Sequence, residues 1–231
     1  MKMNEIKITT RSPTLVGWLE IELSRFVMVR LQDYIETAKK NPVSHNDQLA
    51  GNISKSLTLE DKDNWFFQTI LIPLISKYTE EYPTYMSGIS VLTEDAPFCL
   101  RTLWVNFQKE NEFNPLHDHG GVFSFVVWVK IPTDWKEQHA LPISANSNLP
   151  KASDFEFQYT TMLGNSAHHS YFLDKTSEGR MLFFPAKLIH NVYPFYNCDE
   201  ERVSISGNIM FDISEGSMNR YRSQLKNTKE R

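Results

Sequence analysis

From Arg101 onward the apolar period of this chain is two. Leu103, Val105 and Phe107 alternate with Trp104, Asn106 and Gln108, and later Val203, Ile205 and Ile209 alternate with Arg202, Ser204, Ser206 and Asn208. Successive side chains of an extended chain point to opposite faces, so each run predicts a strand buried on one side. Residues 122–131, 155–160, 170–173 and 181–184 are further apolar runs of strand length, set apart by Gly, Pro, Asn and Asp. Many short strands with such punctuation predict an antiparallel sandwich or barrel. Residues 133–152 lack periodicity and read as a long polar loop.

The first third has a different period. After a candidate cap at Ser24, residues Val27, Met28, Leu31, Tyr34, Ile35 and Ala38 fall on one helical face. A polar linker, NPVSHNDQLAGNIS, follows. A second helix is expected from near Asp61, with Phe67, Ile70, Leu71, Leu74 and Tyr78 as its buried stripe. Pro73 lacks an amide donor and should kink or split that helix, which ends at Tyr82. The expected organisation is a helical support region at 1–95, a β core at 96–213 and a basic tail at 214–231, exposed or frayed from Ser217.

Charge and composition narrow the function. Lys plus Arg number 24 against 28 Asp plus Glu, a net charge of -4. That argues against a nonspecific nucleic-acid binder, which carries a basic excess. The longest unbroken apolar stretch, 125–129, is far short of a membrane span, and MKMNEIKITTR lacks the apolar core of a signal peptide. Two cysteines, Cys99 and Cys198, make neither a disulfide framework nor a thiolate zinc site, so a reducing cytoplasm is the expected location. Nothing marks Cys198 as a nucleophile, and no phosphate-binding loop, dinucleotide glycine fingerprint, nucleophile elbow or zinc-peptidase helix occurs.

Histidines carry the remaining signal. His117 and His119 lie in PLHDHGG, just before an apolar strand. At i and i+2 of an extended chain both imidazoles face one side and Asp118 faces the other, giving half a metal site or a polar turn with two exposed rings. His190 follows a strand and a proline turn, a position that more often holds a packed histidine than a ligand. Arg202 follows twelve residues later, on one face with Ser204, Ser206 and Asn208. Turned inward, that guanidinium would suit a carboxylate, which it grips with paired hydrogen bonds. Three histidines and a downstream arginine together describe a metal beside an acidic chelating cosubstrate. His168 and His169 read as a solvated turn, and His45 and His139 sit in polar segments without an assigned role.

The pattern H-x-H, then G-x-x-x-x-F-P-x-x-x-x-H, then R-x-S-x-S resembles the Fe(II)/2-oxoglutarate-dependent oxygenases. It is closest to a group of oxygenases in tailed phages of marine cyanobacteria, distantly like prolyl hydroxylases. The segments WVNFQKENEFNPLHDHGGVFSFVVWVKIP and GRMLFFPAKLIHNVYPFYNCDEERVSISGN carry the likeness, and LAGNISKSLTLED resembles that group's N-terminal region. It extends over residues 45–212.

The resemblance implies a double-stranded β-helix, a jelly-roll barrel, with N-terminal helices on one face of the larger sheet. Fe(II) would be held by His117, His119 and His190, with 2-oxoglutarate as cosubstrate. Arg202 would bind its far carboxylate, with Ser204 assisting and Asn106 and Asn208 as further pocket residues. The substrate would be a small molecule or a protein side chain, chosen by residues 133–152 and 165–169, and a phage-encoded chain would work in the host cytoplasm. The usual pattern is H-x-D or H-x-E. With His119 in the third place, three neutral ligands leave a ferrous site one negative charge short. Asp118 could replace a histidine only if the backbone leaves the extended form, which Gly120 and Gly121 permit. Two alternatives stay open: a three-histidine cupin-type dioxygenase independent of 2-oxoglutarate, and a catalytically inactive jelly-roll binding or structural module.

Overall fold

The computed structural model describes residues 16–89 and 96–221. The N-terminal stretch without a leader-like core, the residues from 90 to 95 and the last ten residues of the basic tail lie outside the described residues. Strand β1 (Leu19–Glu22) leads into helix α1 (Arg25–Lys40), whose Ser24 cap accepts from the Val27 amide. Strand β2 is short (Ser56–Thr58). Asp61 then organises the second helix: its two carboxylate oxygens accept from the Phe66 and Phe67 amides at 2.8 Å, and the Tyr34 hydroxyl donates to it at 2.9 Å.

Pro73 neither breaks this helix nor bends it freely. The turn before it widens, so that Ile72 N–H bonds Phe67 O five residues back, and α2 (Ile72–Glu81) starts with the proline in its first turn. No amide is needed there, which is why the missing donor is tolerated. Helix α3 (Tyr85–Gly88) follows.

The remainder is β3 (Phe98–Gln108), β4 (Asn114–His117), β5 (Phe123–Lys130), α4 (Trp135–Ala140), β6 (Phe155–Thr160), β7 (Ser166–Tyr171), β8 (Arg180–Pro185), β9 (Ile189–Val192) and β10 (Arg202–Phe211). They form two antiparallel sheets, ordered β1-β8-β5-β10-β3-β2 and β4-β9-β6-β7. From β3 to β10 the chain changes sheet at every connection but β6–β7, the jelly-roll pattern.

The two faces of the large sheet have different partners. Leu103, Val105, Phe107, Phe123, Phe125, Ile205 and Ile209 pack under α1 and α2 with Leu31, Ile35, Leu71 and Tyr78. Val126, Trp128, Leu182 and Phe184 face Phe155, Phe157 and Tyr171 of the small sheet. The period-two alternation thus sorts one strand's residues into a helix-covered core and an inter-sheet space that holds the site.

Three expectations are corrected. Residues 133–152 contain α4, which the Asp134 carboxylate caps by accepting from the Lys136 amide. The strand expected at 170–173 lies at Ser166–Tyr171, because its early residues are polar ones on an edge strand, invisible to apolar periodicity. His168 and His169 therefore lie in a strand, not in a solvated turn. Residues 215–221 of the expected tail are helical.

Candidate metal centre

The β4–β9 pairing sets His117 directly opposite His190. Past the end of β4 the chain carries His119 back toward the same point, held by a bond from its amide to Ala186 O at 2.8 Å. Gly121 makes the turn possible: its φ is 113°, and a Cβ there would stand 2.7 Å from Ile209 O. The three rings converge. One nitrogen from each lies within 4.8 Å of the others, and His119 Nε2 is 3.2 Å from His190 Nε2. Two nitrogens bound to one ion at about 2.1 Å stand about 3.0–3.4 Å apart, so this spacing suits neighbouring ligands.

The tautomers are set by the backbone. His117 Nδ1 lies 2.7 Å from Pro115 O, and His190 Nδ1 lies 2.9 Å from Leu188 O. A carbonyl only accepts, so each Nδ1 is the donor, and Nε2 is the ring nitrogen turned to where a cation would sit. Burial, with His117 nearby, pushes His119 down to about 4. Burial likewise holds His190, ringed by Phe155, Phe157 and Phe184 and 4 % exposed, well below the usual imidazole range. Neutral, pre-oriented imidazoles in a half-dry setting are metal ligands in waiting. Asp118 is turned against Lys187, whose Nζ donates to both its oxygens at 3.4 and 3.5 Å.

Opposite the histidines is a polar ladder. In register, Thr102 faces Asn208, Trp104 faces Ser206, Asn106 faces Ser204, and Gln108 faces Arg202. The first three pairs line a cleft of about 130 Å³ together with the three histidines. Thr102 Oγ1, Trp104 Nε1 and Asn106 Oδ1 are buried without a hydrogen-bond partner. Buried polar atoms are rarely left unpaired, so three on one strand facing one cleft indicate a polar ligand. Asn208 is less free, since its Oδ1 accepts from Ser124 Oγ at 3.0 Å.

Arg202 points inward but stands behind this cleft. It is 2 % exposed, and Nη2 donates to Ser153 O at 2.9 Å and to Ser153 Oγ at 2.5 Å. Its guanidinium lies over the Phe195 ring at 5.0 Å, and its Nε is unpaired. Among the sequence candidates, His117, His119, His190, Asn106, Ser204 and Asn208 line the cleft, and Arg202 does not.

Sequence reasoning missed several residues. His45 is 5 % exposed and stacks on Trp104 with ring centroids 4.8 Å apart and planes 13° from parallel. It lines the cleft with Gln48, Leu49 and Ala50, whereas no residue of 133–152 or 165–169 does. The contact spans nearly sixty residues, and no local pattern marks it. Residues 45–50 are positioned by Asn46, which donates to Ile53 O and accepts from the Ser56 amide, and by the Asn52–Phe113 bridge. His139 has a partner too: its Nε2 lies 2.9 Å from Oδ1 of the wholly buried Asp154. His168 pairs with Glu156, and His169 packs edge-on to Trp18 and Tyr171.

Residues 102–208 match the model of the family described as "Putative 2OG-Fe(II) oxygenase". Those limits coincide with the Thr102–Asn208 pair, and every cleft-lining candidate falls inside them. No curated protein matches the chain significantly. Among solved structures, the non-heme alpha ketoglutarate dependent epimerase SnoN from nogalamycin biosynthesis is similar, with TM-score 0.50 and 14% identity over 84% of this chain and 78% of that one. The same epimerase in complex with Fe3+, alpha ketoglutarate and nogalamycin RO gives 0.46 and 16% over 84% and 79%. A Pseudomonas putida prolyl-4-hydroxylase gives 0.47 and 11% over 85% and 92%. The likeness to SnoN at 0.50 is one of fold. The β core is thus similar to the 2-oxoglutarate- and Fe(II)-dependent oxygenases, and its histidine cluster can hold a metal ion. No described helix is long and apolar enough to cross a membrane.

Proposed function

We propose that this protein is an Fe(II)/2-oxoglutarate-dependent oxygenase that hydroxylates a small molecule or a protein side chain, with release of succinate and CO2. One observation carries the reading: three imidazoles meet at one point and face a strand whose inward polar atoms lack partners. His117, His119 and His190 would hold the iron. Bound there, iron and 2-oxoglutarate supply the activation of dioxygen and the oxidation of a C–H bond.

The protein's own part is placement and exclusion of water. Pro115 O and Leu188 O fix two ligand rings. Phe155, Phe157 and Phe184 keep the His190 side dry. Asn106 and Ser204 would bind the dicarboxylate directly, and Arg202, two residues along β10 from Ser204, would supply the positive charge behind them. Placement of the chain near the cyanophage group rests on its motifs alone, and a double-stranded β-helix barrel is the closed form this jelly roll would take.

The test is succinate release from 2-oxoglutarate, measured with and without Fe(II) under air. Fe(II)-dependent succinate is the expected result; none, from folded protein that retains iron, overturns the proposal. A second reading draws on Arg202 being engaged by Ser153 outside the cleft. A three-histidine dioxygenase would consume oxygen without 2-oxoglutarate, and the same assay, with an oxygen electrode and candidate substrates, separates the two.

A further inference from the structure

Strand β3 has eleven residues, yet β2 pairs only with Trp104 to Asn106. Two more bonds extend that contact, Leu59 N–H to Leu103 O at 2.8 Å and Phe107 N–H to Lys55 O at 3.0 Å. Among the described residues, 98–102 thus pair with a strand on the β10 side alone. A hollow of about 410 Å³ lies against the open side, lined by Leu100, Arg101 and Thr102 on one wall and Glu60, Asp61 and Asn64 on the other. A second hollow continues it along Phe98 and Cys99, again with Asn64. The first hollow shares His45, Gln48 and Thr102 with the histidine cleft. The open strand edge is therefore one wall of a groove that leads into the metal centre.

We infer that this groove takes the substrate, and that the substrate is an extended polypeptide added as a strand to the free edge of β3. This rests on the oxygenase reading of the cleft. An edge strand carries main-chain donors and acceptors at a repeat that another extended chain matches. Five residues of strand span about 17 Å, a length that a compact metabolite does not use. The cleft, at about 130 Å³, admits little more than one side chain beside a dicarboxylate.

The direction of entry follows from the pleat. Side chains level with one another on adjacent strands share a face. Thr102 projects into the cleft, so a peptide residue level with it aims its side chain at the histidines, past His45 and Gln48. The exposed Arg101 disfavours a second copy of this chain on the same edge, because two copies would bring like charges together.

The probe is a degenerate library of blocked synthetic decapeptides, added to the full chain loaded with Mn(II) in place of Fe(II). Amide hydrogen exchange is read by mass spectrometry. At ten times the dissociation constant, exchange at 98–102 slows about tenfold, while β8 is unaffected. A library with alternate N-methyl amides, which cannot donate main-chain bonds, gives no slowing. Equal slowing by both libraries, or slowing only elsewhere, overturns strand addition. So does an edge already slow to exchange in the free protein, since the chain itself then covers it. Succinate release in the absence of peptide reports separately on the oxygenase reading, so the two can fail independently.

Discussion

Replacing His190 with alanine isolates the contribution of one ligand. Structural four-ligand sites in small zinc modules are worth about 10–16 kcal/mol, or about 2.5–4 kcal/mol per ligand. Loss of His190 should then weaken metal binding on the order of 100- to 1000-fold. The metal-free protein also suffers. The bond from Nδ1 to Leu188 O at 2.9 Å is worth about 1 kcal/mol, and packing against Phe155, Phe157 and Phe184 about 1–2 kcal/mol more. That total lowers Tm by about 4–12 °C for a chain of this size. Binding is therefore measured by calorimetry with Mn(II) at low temperature, after circular dichroism has shown the variant folded. A Kd within threefold of the parent in a folded variant would refute the three-histidine site, and a large fall in Tm without loss of affinity would reduce His190 to a core residue.

Other consequences are as direct. Asp61→Ala removes the acceptor of two amides and a tyrosine hydroxyl and should cost about 2–4 kcal/mol; urea unfolding checks it, and a change below 0.5 kcal/mol would contradict the capping role. Burial pushes Asp154 up to about 8. The folded state then holds a proton that the unfolded chain releases near pH 4, so this group's contribution falls as pH rises from about 4 to about 8 and is flat above that range. Asp154→Asn should flatten that slope, seen in urea midpoints at pH 5 and pH 8, and an unchanged slope would contradict it. Arg202→Met should raise the 2-oxoglutarate requirement at least tenfold while metal affinity stays within threefold; equal loss of both would make Arg202 a structural residue only.

Much of this architecture could be read from periodicity because long strands with one apolar and one polar face leave a clear trace. Strands β3 and β10 carry it, as does α1, whereas β5 is buried on both faces and shows only as an apolar run of strand length. Four strands, β1, β2, β4 and β9, are three or four residues long and show too few alternations to detect. Yet β4 and β9 bring His117 opposite His190. Motif spacing supplied those residues; the pairing that unites them is a long-range property. The same limit explains His45 and Trp104. A histidine in a polar linker looks solvated until the fold lays it on an indole. Residues 133–152 were expected near the substrate, but α4 docks on Tyr196 through Gln138, and Ser153 meets Arg202 instead of the cleft.

The central claim is that His117, His119 and His190 gather a single ferrous ion that a dicarboxylate can then chelate. Anaerobic titration of the full chain with Fe(II), followed by 2-oxoglutarate, tests it without need of the substrate. One iron per chain is expected, with a visible charge-transfer band that grows only when both are present and is absent from His119→Ala. A folded protein that retains no iron, or retains it and shows no change on adding 2-oxoglutarate, would contradict the account.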